Sequence, residues 1–313
     1  MIAPFTAVHA QPNTINDSYP LDTAIWQNLN IPVCWENIGE SPAKRASVEN
    51  AVQATWEANS QVDFTGWGQC PNGNFAGIRI GIEDNARLGP HTKGMGTEMK
   101  GRPNGMMLNF TQENWGQRCT ALYGLQTCIE WIAIHEFGHA LAFGHEQKRD
   151  DTPFECSSRM EPGGGGQGNV IFTEWDQNSI MNYCSPNYNG HGRLSAIDIL
   201  TVQAYYGRIP TYSTAKTLQI PVVRVGGSNY SASLSDLDGD GRFTLDAFAS
   251  TTNQSSKPAV YDSSSLKLNL PLVKVVNGSN KVISLYSAIM QRHADGTLTI
   301  LSTTQVQPVP ETH

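Results

Sequence analysis

The chain has 313 residues, six cysteines and a formal net charge of -7, with 39% hydrophobic and 16% charged residues. This hydrophobic share suffices for packed cores, and the length suggests two domains. No run approaches the roughly 18 apolar residues of a membrane span, and the acidic balance argues against a sequence-independent grip on nucleic acid, so neither is expected as a partner.

Residues 1–20 are polar and Pro-rich and read as an N-terminal arm. The opening MIAPFTAVHAQPN lacks the basic start and full apolar core of a signal peptide. Ile31 to Trp35 is a short apolar run that predicts a strand. Ser41 is placed to cap a helix with Pro42 at its first position, and Val48, Val52 and Trp56 recur along one face. Val62 to Trp67 and Ile78 to Ile82 alternate as half-buried strands do. The Gly-rich segment Leu88 to Gly105, with His91 in it, predicts a loop, and Met106, Met107, Leu108, Asn109 and Phe110 follow as a short strand.

Cys128 to Leu141 predicts a buried helix, with Ile129, Ile132 and Ala133 on apolar positions. Its far end opens the stretch HEFGHALAFGH, from His135 to His145. Residues four apart share a helix face, so His135 and His139 present two imidazoles to one point, as a metal chelate does. Glu136 projects beside that point, where a carboxylate can take a proton from water without ligating the metal. His145 lies too far along for a straight helix to share that face, so the chain must turn back to bring it in. Three imidazoles and an open position suit a catalytic zinc.

The six cysteines, Cys34, Cys70, Cys119, Cys128, Cys156 and Cys184, include no close CxxC pair. Disulfides are therefore expected, and with them a secreted, extracellular or periplasmic setting. Cys119 with Cys128 would close a short loop ahead of the zinc helix, and connectivity is otherwise open. The run Gly163 to Gly166 reads as a surface loop and not a phosphate cradle, since no GKS or GKT follows. His191, in NYNGHG, reads as a turn residue, and Leu194 to Tyr206 as a helix with Ser195 as its cap and Gly207 as its stop.

These motifs resemble those of the metzincin zinc proteases, whose pattern is HExxHxxGxxH followed by a methionine turn. Within that clan the chain is most similar to the astacins: Glu146 follows the third His directly, a basic and acidic run QKRDD continues to Asp151, and Ser179, Ile180, Met181, Asn182 and Tyr183 match the turn. The resemblance covers roughly residues 20–208 and implies an α+β catalytic domain, a twisted sheet plus an active-site helix and a C-terminal helix. It further implies Met181 beneath the metal, Tyr183 as an extra, switchable zinc ligand, and Glu146 as the anchor of a matured N-terminus. By the same resemblance Met106 to Phe110 would be the sheet edge that binds the substrate backbone. The pattern's Gly falls on Ala142, where a left-handed backbone would cost on the order of 1 kcal/mol, and Gly144 is the alternative place for the turn.

Residues 209–216 read as a linker, and 217–313 as a β-rich second domain without cysteine. IPVVRV at Ile220 to Val225 recurs as LPLVKV at Leu270 to Val275, and GRFTL at Gly241 to Leu245 recurs as GTLTI at Gly296 to Ile300, so two repeats are expected to form a small all-β sandwich. Asp236, Asp238, Asp240 and Gly241 copy the start of a Ca2+ loop, DxDxDG, but Ala247 stands where an EF-hand needs Glu. The letters fit half a calcium site or an acidic hairpin turn.

The expected function is a secreted zinc endopeptidase acting on a protein or peptide substrate, with Zn2+ on His135, His139 and His145 and Glu136 as general base. One alternative is a secreted binding protein or adhesin that works through its β domain, whose ligand stays unassigned, with a structural or inactive zinc site. Another swaps His145 for a downstream carboxylate, Glu155, Glu161 or Glu174, as in thermolysin-like enzymes.

Overall fold

The computed structural model describes residues 19–39, 41–157, 168–169, 175–253, 255, 258–276 and 282–307. The Gly163 to Gly166 run, Glu161, Glu174 and most of the N-terminal arm lie outside the described residues. Strands β1 (Asn30–Trp35), β2 (Asp63–Gln69), β3 (Ile78–Ile82), β4 (His91–Thr92) and β5 (Met106–Leu108) form one sheet in the order β2-β1-β3-β5-β4. The first three and β5 run parallel, and β4 runs antiparallel to β5.

A parallel neighbour requires a crossover, and α1 (Pro42–Val52), widened into a π turn over Gln53–Glu57, supplies the one between β1 and β2. It buries Val48, Val52 and Trp56 fully, the face that the sequence pattern marks. Ser41 does not cap it as expected. Its backbone is left-handed and its side chain makes no cap bond; only its carbonyl accepts, from Lys44 and Arg45. Pro42 already supplies the helical φ at the first position, so the helix starts without a side-chain acceptor.

The sheet corrects a second expectation. β5 is not the edge, because β4 covers it through His91 opposite Met107 and Thr92 opposite Met106. Met106, Met107, Leu108, Asn109 and Phe110 are all buried. The segment read as loop around His91 thus provides the outermost strand on that side. Two residues are too few to show a period of two, which is why the pattern could not reveal it.

Helices α2 (Gln117–Tyr123) and α3 (Leu125–Ala140) follow, then the short α4 (Phe154–Ser157) and α5 (Ala196–Tyr206). α3 rests on the sheet through Phe137, whose ring meets Phe64 edge-on at 4.8 Å and stacks on Trp67 at 5.5 Å. Its last turn leaves carbonyls without intrahelical partners, as every helix does. The indole of Trp26 donates to Ala140 O at 2.8 Å and the Tyr206 hydroxyl to Leu141 O at 3.0 Å, so the end of α3 is held from two separate elements.

All six cysteines pair, as Cys34–Cys70, Cys119–Cys128 and Cys156–Cys184. The short loop expected from Cys119 and Cys128 is closed. The third bridge ties α4 to Cys184, the residue after Tyr183.

The C-terminal strands are β6 (Thr211–Ser213), β7 (Thr217–Val225), β8 (Ser228–Ser235), β9 (Arg242–Ser250), β10 (Ala259–Asp262), β11 (Lys267–Val276), β12 (Val282–Arg292) and β13 (Leu298–Gln307). They do not form a sandwich. One eight-stranded sheet closes on itself, because β10 pairs with both β11 and β7, and β6 with both β7 and β11. Strand alternation is the same in a sandwich and a closed sheet; the parallel β10–β7 and β6–β11 pairs, which join the two repeats, decide between them. The repeats themselves are plain in the fold. Leu218, Ile220 and Val223 of the first occupy the core as Leu268, Leu270 and Val273 of the second do. Both strands slip register at the same place, across Pro221 and Pro271, where proline has no N–H to give the ladder.

Candidate active site

The three histidines meet. The Nε2 atom of His145 lies 3.2 Å from Nε2 of His135 and 3.0 Å from Nε2 of His139. His135 Nδ1 lies 2.8 Å from Ile180 O, and His139 Nδ1 lies 2.8 Å from Phe143 O. A carbonyl only accepts, so each Nδ1 carries the proton and each Nε2 turns a lone pair toward the other rings. Burial holds both imidazoles neutral: it pushes the His135 pKa down to about 4 and that of His139 to about 3, the latter helped by the neighbouring His135. Neutral nitrogens with lone pairs converging on one point suit a divalent cation, and an all-imidazole set suits zinc.

Glu136 is buried beside them. Its Oε2 is fully shielded and meets no hydrogen-bond donor, and burial lifts its pKa to about 8. A carboxylate oxygen so placed is costly unless a reactant or cation completes it, and here it stands next to the histidine cluster.

The turn that brings in His145 runs through Ala142, which takes φ +67° itself; Gly144 does not take the left-handed conformation. Ala142 N donates to His139 O, and the residues around it are pinned from outside by Leu21 N to Ala142 O at 2.8 Å and Gly144 N to Tyr19 O at 2.7 Å. The methyl is fully buried against Gly96, where any side chain would collide with Ala24 O and with Ala142. Packing and these bonds offset the left-handed penalty of about 1–2 kcal/mol.

The methionine segment lies against α3. A Cβ on Gly138 would stand 2.3 Å from Met181 Sδ and 3.1 Å from Trp56 Cζ2, so the glycine inside HEFGH makes room for Met181 against α3. We expect Gly138→Ala to displace Met181 and to lower the melting temperature by several degrees, from roughly 1–3 kcal/mol of overpacking. A thermal melt of the zinc-loaded protein checks this.

Asp198 supports the segment from α5, a role that no motif in the sequence marks. Its carboxylate accepts from Ser179 Oγ at 2.7 Å, Ile180 N at 2.9 Å and Ser195 N at 2.9 Å. The first two order the turn whose Ile180 carbonyl aligns His135. Ser195 caps the helix as expected, with Asp198 N donating to Ser195 Oγ, and the structure adds Asp198 as its partner in a capping box. Burial raises the Asp198 pKa to about 6 against these three donors. Asp198→Ala is expected to weaken zinc about 10- to 100-fold, as loss of an outer hydrogen-bond partner does, measured by chelator competition.

Tyr183 stacks on His135 at 5.2 Å and lies 4.5 Å from the His145 ring. The residue as a whole is 63% exposed, yet its phenol pKa is raised, first by burial and then by Glu136 and Tyr188. Tyr188, whose pKa is also raised by burial and by Glu136, is a further neighbour of the site that no motif marks. Glu146 is buried. Its Oε2 lies 3.3 Å from Arg149 Nη1 and accepts from Asp176 N, and Arg149 in turn holds Asp151. The anchoring of a matured N-terminus expected of Glu146 falls on residues outside those described. Glu155 does not join the histidine cluster among the described residues. His191 lies in a turn against Trp131 and Tyr123.

Asp236, Asp238 and Asp240 form the second group of potential ligands, with carboxylate oxygens within 4.8 Å of one another.

Comparison with known proteins finds no matching family model and no matching curated protein. Among solved structures the chain is similar to myroilysin in two structures. The first aligns at TM-score 0.43 and 19% identity, covering 61% of this chain and 99% of that one; the second at 0.40 and 20%, covering 64% and 97%. It is also similar to high choriolytic enzyme 1, a hatching enzyme zinc-protease from Oryzias latipes, at TM-score 0.40 and 19% identity over 60% of this chain and 96% of that one.

Proposed function

We propose that this chain is a secreted, zinc-dependent endopeptidase, with a catalytic domain over 21–208 and a separate β-rich domain over 217–313. The observation that carries the reading is the convergence of three Nε2 atoms, two of them on neutral rings whose Nδ1–H is fixed by a backbone carbonyl, beside a buried carboxylate oxygen that lacks a donor. His135, His139 and His145 would hold the zinc, which when bound polarises a peptide carbonyl and lowers the pKa of water. Glu136 takes a proton from water as general base and returns it to the leaving amine as general acid, and its burial, which disfavours the charged carboxylate, favours the uptake. Tyr183 presents a phenol that can donate to the oxygen developing charge at the scissile carbon. Met181, seated by Gly138, keeps the floor beneath the histidines apolar. β4 is the outermost strand beside this site, and an extended peptide can add to such an edge.

Three disulfides suit an extracellular protein, and among the described residues no helix is long and apolar enough to cross a membrane. A structural zinc would call for a fourth closing ligand, and among the described His, Cys, Asp and Glu residues only the three histidines gather there. The test is casein hydrolysis by the purified protein with chelator and after zinc is restored. Activity that is lost and then regained supports the reading; hydrolysis indifferent to the chelator, or none from the zinc-loaded protein, overturns it.

A further inference from the structure

We propose that Asp236, Asp238 and Asp240 form a calcium site that clamps the seam between the two repeats of the C-terminal strands. The three carboxylates lie in the loop between β8 and β9 with oxygens within 4.8 Å of one another, and among the described residues no ammonium or guanidinium forms an ion pair with any of them. Asp236 is only 8% exposed, and its Oδ1 is shielded from water without a hydrogen-bond donor. A buried carboxylate with an undonated oxygen, gathered with two more carboxylates, is the arrangement a cation completes.

The other repeat is the internal control. At its corresponding turn a single Asp295 stands, and it is answered by Arg242 Nη1 at 3.2 Å and by Thr297. The first repeat carries three acids at the same place; the Lys216 ammonium lies against Gly239 of this loop but forms no ion pair with any of them. Carboxylates at alternate positions, then Gly241 at φ +84°, follow the opening of a calcium loop, and the carbonyl of Arg242 falls at its seventh position. Hard oxygen donors favour calcium, and the flexible spacing favours it over magnesium. The chain leaves the loop as β9, so the twelfth position, Ala247, supplies no carboxylate. The affinity expected is therefore that of a weak extracellular module, a Kd of about 10⁻⁴–10⁻³ M.

Placement gives the ion its task. β9 and β13 join through only two residue pairs, Phe243 with Leu298 and Arg242 with Thr299. Asp240 Oδ1 accepts from Arg242 N at 2.7 Å, and Arg242 reaches across to Asp295. Fixing Asp240 therefore fixes the residue that spans the seam.

The experiment uses the zinc-loaded full chain. Titration calorimetry should detect one calcium bound in that affinity range, and about 10 mM Ca2+ should raise the melting temperature by about 3–6 °C, with Mg2+ giving much less. The double variant Asp238→Asn with Asp240→Asn, both exposed positions, should melt higher than the parent without calcium, because repulsion is relieved, and gain nothing when calcium is added. Where the double variant gives no folded protein, Asp238→Asn alone should bind at least about tenfold more weakly. No calcium binding up to about 10 mM, or a calcium response unchanged in these variants, overturns the proposal. None of these readouts depends on peptidase activity.

Discussion

Glu136→Ala is expected to keep its zinc and lose about 10²–10⁴-fold of kcat/KM on casein, or roughly 3–5.5 kcal/mol of transition-state stabilisation. The separation follows from geometry. The three Nε2 atoms converge without help from Glu136, whose Oε2 meets no donor. Removing the carboxylate also removes a buried acid that burial disfavours, so the variant should be at least as stable as its parent. Zinc content by atomic absorption, a thermal melt and a casein assay on the same sample decide it. A variant that cuts as fast as the parent would mean that Glu136 is not the general base.

His139→Ala should lose both properties. Its Nε2 is 3.0 Å from that of His145, so two of the three candidate ligands would remain and affinity should fall below what dialysis leaves in place. Its Nδ1–H also satisfies Phe143 O in the turn that delivers His145, and an abandoned buried carbonyl costs about 1–3 kcal/mol. The variant should therefore be poor in zinc, inactive and a few degrees less stable, and excess zinc should not restore it. Zinc retained at one per chain after dialysis would refute the ligand assignment.

Both results rest on a site that is partly legible in the amino-acid sequence. The spacing of His135 and His139 follows from helical period, a local property, and Glu136 follows with it. The Ser195 cap and the pairing of Cys119 with Cys128 are local in the same way. Each depends on residues within a few positions of one another, where backbone geometry alone decides who can meet whom. The recurrence of IPVVRV as LPLVKV is equally plain, and the two copies occupy equivalent core positions.

The remainder depends on partners far apart in the chain. Which nitrogen of His135 carries the proton is set by Ile180 O, and Ile180 is held by Asp198 of another helix. β4 becomes the sheet edge by pairing with β5 across a stretch too short to carry a pattern. The C-terminal strands close into one sheet because β10 and β6 each bridge β7 and β11, while their alternation would serve a sandwich as well. Ala142 keeps a left-handed backbone because Tyr19, Leu21 and Gly96 surround it, contacts that the letters HEFGHALAFGH do not contain. Local spacing settles which groups are able to bind a metal; the tertiary contacts set which way their lone pairs point, because orientation comes from hydrogen bonds made by elements distant in the chain.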